Sequence, residues 1–352
     1  MDFAITIIEQ IQKPTLAFLI AGMMLAALGS KFEIPEPVYK FIVILLLLKI
    51  GMGGGIAIRS ADFMSLIVPA IGAALLGITI VFLGSKTLAK MRGVAELDAL
   101  ATVGMFGAVS ASTLAAGMTM LDDSGIAYEG YIGALYPFMD IAALVTAIVL
   151  AKLSVARQAA SDVQINGDGT VLMRGPTQPA SGQELDGTSE IVRGIMVDTF
   201  RSPAISALVA GLCLGILAEP NTVFKSFYEP LFRGLLSILM LIMGLEAWSR
   251  FAELRKVAHT YILYGVTAPI IHGLMGFGVG LIAHQLTGFS EGGVILLAVM
   301  AASSSDISGP PTMRAALPDA NSSAYVGTST GLGTPVAILR IPLFMALTDW
   351  VM

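Results

Sequence analysis

Two short stretches carry the residue types from which an ion site can be built inside an otherwise apolar chain. The first reads Gly104-Met105-Phe106-Gly107-Ala108-Val109-Ser110-Ala111-Ser112-Thr113, and the second Ala301-Ala302-Ser303-Ser304-Ser305-Asp306-Ile307-Ser308-Gly309-Pro310-Pro311-Thr312. Inside a membrane, a broken helix frees backbone groups that protein, water or ligand must satisfy. Proline lacks an amide donor and suits the first turn of a helix. The second stretch is therefore predicted to break around Ser305–Gly309 and to restart at Pro310 and Pro311. The first is predicted to break around Val109–Ser112, with Ser112 or Thr113 near a helix start. A helix start offers free N–H groups and about half a positive charge. Two starts facing each other would hold a small planar oxyanion, with hydroxyls donating or accepting as required. Asp306, with oxygens from Ser303, Ser305 or nearby threonines, would hold a hard cation such as sodium beside it. For either run alone, the competing reading is close helix packing through small residues.

Other polar residues fall at membrane depth, where an ionisable group needs a partner. Asp140, three residues after Pro137, would ligate a cation or pair with a basic group. Thr330 and Thr334, in Thr328-Ser329-Thr330-Gly331-Leu332-Gly333-Thr334-Pro335, would complete a sodium shell or serve Gly-rich packing. Lys49 is expected to snorkel or to form an internal ion pair, with Glu246 as candidate partner. His272 is expected to be a hydrogen-bonded structural histidine. The chain's single cysteine, Cys213, excludes an internal disulfide and is expected to be a small buried hydrophobe.

The elements that must position these residues are membrane helices. The 352 residues are 55% hydrophobic and 13% charged, against about 25% charged in a soluble chain. A span needs about 20 mostly apolar residues. Spans are predicted near 14–30, 38–58, 64–84, 97–120 and 131–151, then near 203–218, 228–248, 260–284, 292–316 and 325–348. The opening Met1-Asp2 lacks the basic region of a cleaved signal peptide. Lys and Arg favour the cytoplasmic side of short loops. With the N-terminus outside, the inner loops collect Lys31, Lys40, Lys86, Lys90, Arg92 and Arg314 among others, and the outer loops keep mainly Lys13, Arg59 and Lys225. Both termini are thus predicted outside. The polar stretch 153–200, rich in Gly, Ser, Asp, Gln and Pro, is predicted to be a partly disordered cytoplasmic tether or a docking site for a soluble regulator.

The two halves match weakly in the same order. Pro14-Thr15-Leu16-Ala17-Phe18 aligns with Pro203-Ala204-Ile205-Ser206-Ala207, Gly51 with Gly244, and Ser110-Ala111-Ser112-Thr113 with Ser303-Ser304-Ser305-Asp306. Five spans per half place the second copy upside down, an arrangement that transporters use to exchange outward- and inward-open states around a midplane site. The reading is an all-α membrane protein. It comprises a first five-helix repeat (1–152), a linker (153–200) and an inverted second repeat (201–352), with helices 4 and 9 interrupted.

Longer stretches add a resemblance. Pro14-Thr15-Leu16-Ala17-Phe18-Leu19-Ile20, Ile34-Pro35-Glu36-Pro37-Val38-Tyr39, Leu48-Lys49-Ile50-Gly51, Phe106-Gly107-Ala108-Val109-Ser110 and Ala134-Leu135-Tyr136-Pro137-Phe138-Met139-Asp140 resemble the cyanobacterial sodium-dependent bicarbonate transporters of the carbon-concentrating mechanism. The resemblance covers both membrane halves. It implies core and gate domains, a homotrimer in the plasma (inner) membrane, and high-affinity bicarbonate uptake driven by sodium through elevator-like motion. It also implies inhibition by a trimeric PII-like protein at the cytoplasmic face. Carried onto this sequence, the substrate region corresponds to Gly107, Ala108, Val109, Ser110, Ala111, Ser112 and Thr113 with Ser303, Ser304, Ser305 and Asp306. Sodium is the expected co-transported ligand, with no organic cofactor. A symporter of another small anion and an anion channel are the competing functions. Few basic clusters argue against nucleic-acid binding. The absence of a His-rich metal motif, a recognisable nucleophile–base pair or a phosphate loop argues against an enzyme.

Overall fold

Apolar runs without water partners close their backbone hydrogen bonds internally, and the chain accordingly folds as helices. The computed structural model describes residues 14–32, 34–59, 63–161, 164–165, 171–172, 197, 201, 203–254, 259–306 and 308–352. The first half holds α1 (Pro14–Ala27), α2 (Glu36–Ile58), α3 (Phe63–Thr87), α4 (Glu96–Gly107), α5 (Ala111–Ser124) and α6 (Tyr136–Ser161). The second holds α7 (Pro203–Leu217), α8 (Glu229–Leu254), α9 (His259–Thr287), α10 (Glu291–Ala302), α11 (Gly309–Ala316), α12 (Ser322–Val326) and α13 (Thr334–Val351). A π-helical segment, Gly327–Gly333, joins α12 to α13. Two-residue strands, Gln164–Ile165 and Val171–Leu172, pair antiparallel.

Among the described residues, seven helical segments are long and apolar enough to cross a membrane, where ten spans were expected. Three expected spans are shorter apolar helices, Leu16–Ala27, Ile205–Leu217 and Glu291–Ala302. The last is short because the backbone leaves the helix at Ser303. Helix α6 runs to Ser161, past the boundary expected at 152. Most of the 153–200 stretch lies outside the described residues.

Close helix contacts run through glycine. A side chain at Gly22 on α1 would overlap the Leu241 carbonyl of α8, and one at Gly244 would overlap the Leu19 carbonyl of α1. The same holds between α2 and α7, where Gly51 meets Leu208 and Gly211 meets Leu48. Contacts of this kind pack membrane helices by bringing backbones together. The faces of α1, α2, α3 and α9 expose Met24, Phe41, Met64 and Ile271, as lipid-facing surfaces do. In contrast, Ala99–Gly107 of α4, Ala111–Leu121 of α5 and Gly292–Ala302 of α10 are buried throughout. The broken helices lie inside a jacket of other helices.

Three expectations change. The Lys49 ammonium lies 4.2 Å from the Phe232 ring centroid and 5.9 Å from that of Phe224, a cation–π seat. The side chain of Glu246, the expected ion-pair partner, lies outside what the structure describes. Cys213 is exposed on α7 rather than buried. His272 is buried as expected, but among the described residues its Nδ1 has no hydrogen-bond partner. Its ring meets those of Phe106 and Tyr264 edge-on, each at 6.2 Å.

Candidate functional site

The first break has no proline and is made by a cap. The backbone turns extended at Ala108, and Ser110 becomes the N-cap of α5, its Oγ accepting from the Thr113 amide at 3.0 Å. The break therefore lies at Ala108–Ser110, slightly ahead of the position expected, and α5 starts at Ala111. Two amides freed there find side-chain acceptors on other elements. The Val109 N–H donates to Asp140 Oδ1 at 3.1 Å, and the Ser110 N–H to Ser303 Oγ at 2.9 Å. Such accounting is expected of buried backbone donors.

The second break opens at Ser303, two residues earlier than expected, and closes at Gly309, where α11 begins just ahead of Pro310 and Pro311. The Ser305 amide donates across to the Met105 carbonyl at 2.8 Å. The two breaks thus cross and satisfy each other, through Ser110 with Ser303 and through Ser305 with Met105. The Ser305 hydroxyl accepts from the Gly309 amide at 2.8 Å and fixes the start of α11. On the α12–α13 side, Ser304 Oγ donates to the Ser329 carbonyl, and Thr334 Oγ1 donates to the Ser304 carbonyl, both at 3.0 Å. Thr330 Oγ1 reaches the Ser305 carbonyl at 3.4 Å.

Two buried carboxylates lie in this crossing. Asp306 Oδ2 accepts from the Ser110 hydroxyl at 3.0 Å and the Ser112 hydroxyl at 2.5 Å. Among the described residues, its buried Oδ1 has no hydrogen-bond partner. Asp140, fully buried on α6, accepts from Val109 through Oδ1 and from the Ser308 hydroxyl through Oδ2 at 3.0 Å. Ser308 in turn lies 2.9 Å from Ser305 Oγ and 3.5 Å from the Tyr136 hydroxyl. Among the described residues, no basic group forms an ion pair with either carboxylate.

The two helix starts read from the sequence as an anion cradle each have an acidic side chain beside them. The start of α5 is met by Asp306 through Ser110 and Ser112, and the start of α11 is met by Asp140 through Ser308.

Of the residues singled out in the sequence, Ser110, Ser112, Thr113 and Ser303 bond into one network with Asp306, and Val109 and Ser305 belong to a second with Asp140 and Ser308. Gly107 lets α4 pass close to α3 and α6, since a side chain there would overlap Val81 and Ala143. Ala108 and Ala111 are buried and add no polar side-chain atom. Thr330 and Thr334 hold backbone carbonyls of the second break, and Ser304 holds the Ser329 carbonyl, rather than Asp306. The sequence reading missed Ser308, Tyr136 and the Met105 carbonyl. Ser308 had a usable signal, because it stands directly before Gly309-Pro310, where a helix cap belongs.

A family model of the Na+-dependent bicarbonate transporter superfamily matches residues 14–349. No curated protein matches the chain.

Proposed function

The chain belongs to the Na+-dependent bicarbonate transporter superfamily, and we propose that it is a sodium–bicarbonate symporter whose cation binds first, at Asp306. The observation that carries this reading is the unpartnered, buried Asp306 Oδ1. A buried carboxylate without a countercharge is costly, and a sodium ion would supply the missing charge. Hydroxyl oxygens of Ser110, Ser112 and Ser303 stand in the same network to extend its shell, while the Ser305 hydroxyl lies in the network of Asp140. Asp140, also without a basic partner, is the second carboxylate available to a cation.

Cation binding also gives a reason for coupling. While Asp306 and Asp140 are unneutralised, their charge opposes an anion at the helix starts they face. Sodium cancels that charge and frees the amide-rich ends of α5 and α11 for bicarbonate. Each ligand then raises the affinity of the other by the same factor.

In this proposal, α1, α7 and the broken α10–α11 segment complete ten crossing segments arranged as two inverted repeats. Contacts between repeat equivalents support it. Gly22 corresponds to Gly211 and Gly51 to Gly244, so the α1–α8 contact of Gly22 with Gly244 maps onto the α2–α7 contact of Gly211 with Gly51. Ser110 and its equivalent Ser303, 193 residues on, bond to each other, as residues on a two-fold axis do. The buried broken helices form the core, which moves elevator-fashion against a gate panel of α1, α2, α7 and α8. High affinity, a homotrimer in the plasma membrane, external termini, a cytoplasmic central stretch and inhibition by a PII-like trimeric protein complete the proposal. These rest on the resemblance and, for the sidedness, on loop charge.

Labelled bicarbonate uptake into proteoliposomes, challenged with unlabelled small organic anions, tests the substrate. Competition by bicarbonate alone supports the reading, and equal competition by an organic acid replaces it with the runner-up. Conductance without sodium would indicate a channel.

A further inference from the structure

The turn after α5 ends in a carboxylate that holds a distant helix. Glu129 accepts from the Ser290 amide at 2.6 Å through Oε1 and from the Ser290 hydroxyl at 2.8 Å through Oε2. Ser290 is itself the N-cap of α10, accepting from the Gly293 amide at 3.0 Å. Gly292 and Gly293 leave room for this approach, since a side chain at either would overlap Ala127 or Glu129. At the other end of the same broken helix, Asp98 in the first turn of α4 accepts from the Asn321 amide at 2.7 Å. Asn321 is the N-cap of α12, accepting from the Ser323 amide at 3.0 Å.

The two contacts are images of each other. Glu129 and Asn321 are 192 residues apart (321 − 129), and so are Asp98 and Ser290 (290 − 98). In one contact the acid sits on the turn and the helix cap is serine. In the other the acid sits on the helix and the turn supplies the cap. The duplication has kept the tie while exchanging which partner is acidic.

We infer that Glu129 and Asp98 are positioning residues, a matched pair of staples that clamp the broken helices together at both ends. Between them, the midplane links of Ser110 with Ser303 and Ser305 with Met105 fix how far Asp306 stands from Ser110 and Ser112. The staples stay closed through the transport cycle. The ion pair of Arg233 on α8 with Asp123 at the end of α5, 2.6 Å long, joins the proposed core to the proposed gate and has to open. This contrast rests on the moving-core reading above.

The test uses the full chain in proteoliposomes, with Cys213→Ser removing the native thiol. Pairs Glu129→Cys with Ser290→Cys, and Asp98→Cys with Asn321→Cys, are joined by a short bis-methanethiosulfonate linker. Before linking, the sodium concentration for half-maximal uptake rises roughly threefold to tenfold, the range expected of remote positioning residues, while maximal uptake is largely kept. Linking restores the parent value with uptake continuing. Unlinked pairs that match the parent, or linked pairs that stop transporting, overturn the inference. If a cysteine pair fails to fold, Glu129→Gln and Asp98→Asn must show the same rise, and parent behaviour from both overturns it. Linking Asp123→Cys to Arg233→Cys stops uptake. Continued uptake there would remove the moving-core reading and leave the staples standing.

Discussion

Replacing Asp306 with asparagine takes away one full charge and little else. The side chain keeps its shape and one oxygen that can accept from Ser110 and Ser112, which donate to Oδ2 at 3.0 and 2.5 Å. What it loses is the attraction between a buried carboxylate and its cation. Breaking such a pair costs about 3–5 kcal/mol, which corresponds to about 100-fold to 4,000-fold in sodium affinity. Without sodium the sign reverses, because the variant no longer buries an uncompensated charge at Oδ1. Thermal unfolding in detergent across a sodium series reads both effects. The parent gains stability as sodium rises, by about 2.7 kcal/mol at a hundred times its dissociation constant. Asp306→Asn is expected to show no gain over the same series and to unfold in sodium-free buffer no earlier than the parent. A variant with parental sodium dependence would refute the cation assignment. One that is also much less stable without sodium would show that Asp306 serves structure.

Other outcomes follow from the same geometry. Bicarbonate binding measured calorimetrically without sodium should be about 100-fold weaker than with it, since a carboxylate charge about 5 Å from the anion at an effective dielectric of 20 is worth about 3 kcal/mol. Ser110→Ala removes the cap of α5 and one donor to Asp306, and should lower stability by about 1 kcal/mol in sodium-free thermal unfolding. Gly244→Ala drives a methyl into the Leu19 carbonyl and should cost about 1–3 kcal/mol while preserving the sodium-induced stabilisation. Asp140→Asn should keep its bond from the Val109 amide and still weaken sodium dependence of uptake. An unchanged sodium curve would confine Asp140 to holding the break.

The sequence made the second break legible because Gly309-Pro310-Pro311 cannot continue a helix and polar residues precede it. The first break has no such mark. Its match to the second break marks it, and its edge at Ala108–Ser110 depends on Ser110 acting as a cap, a role for which Ser110, Ser112 and Thr113 are equally suited by residue type. Asp140 was visible as an intramembrane acid, but not its partners, because Val109 and Ser308 reach it only once α6 packs beside both breaks. Lys49 shows the same limit. Its charge called for a partner, and an aromatic seat at Phe232 was invisible because no pattern along α2 records what faces it on α8. The acidic lining of the two helix starts was hidden for a related reason. Helix starts are readable from caps and prolines, whereas the carboxylates that fold back onto them are set by tertiary packing.

The most direct measurement of the central claim is accumulation of labelled bicarbonate in proteoliposomes, with and without an inward sodium gradient, for the parent and Asp306→Asn. The parent is expected to concentrate bicarbonate only when the gradient is present, and the variant to fail to do so at the same sodium concentration. Accumulation that ignores sodium, or that persists undiminished in the variant, would contradict it.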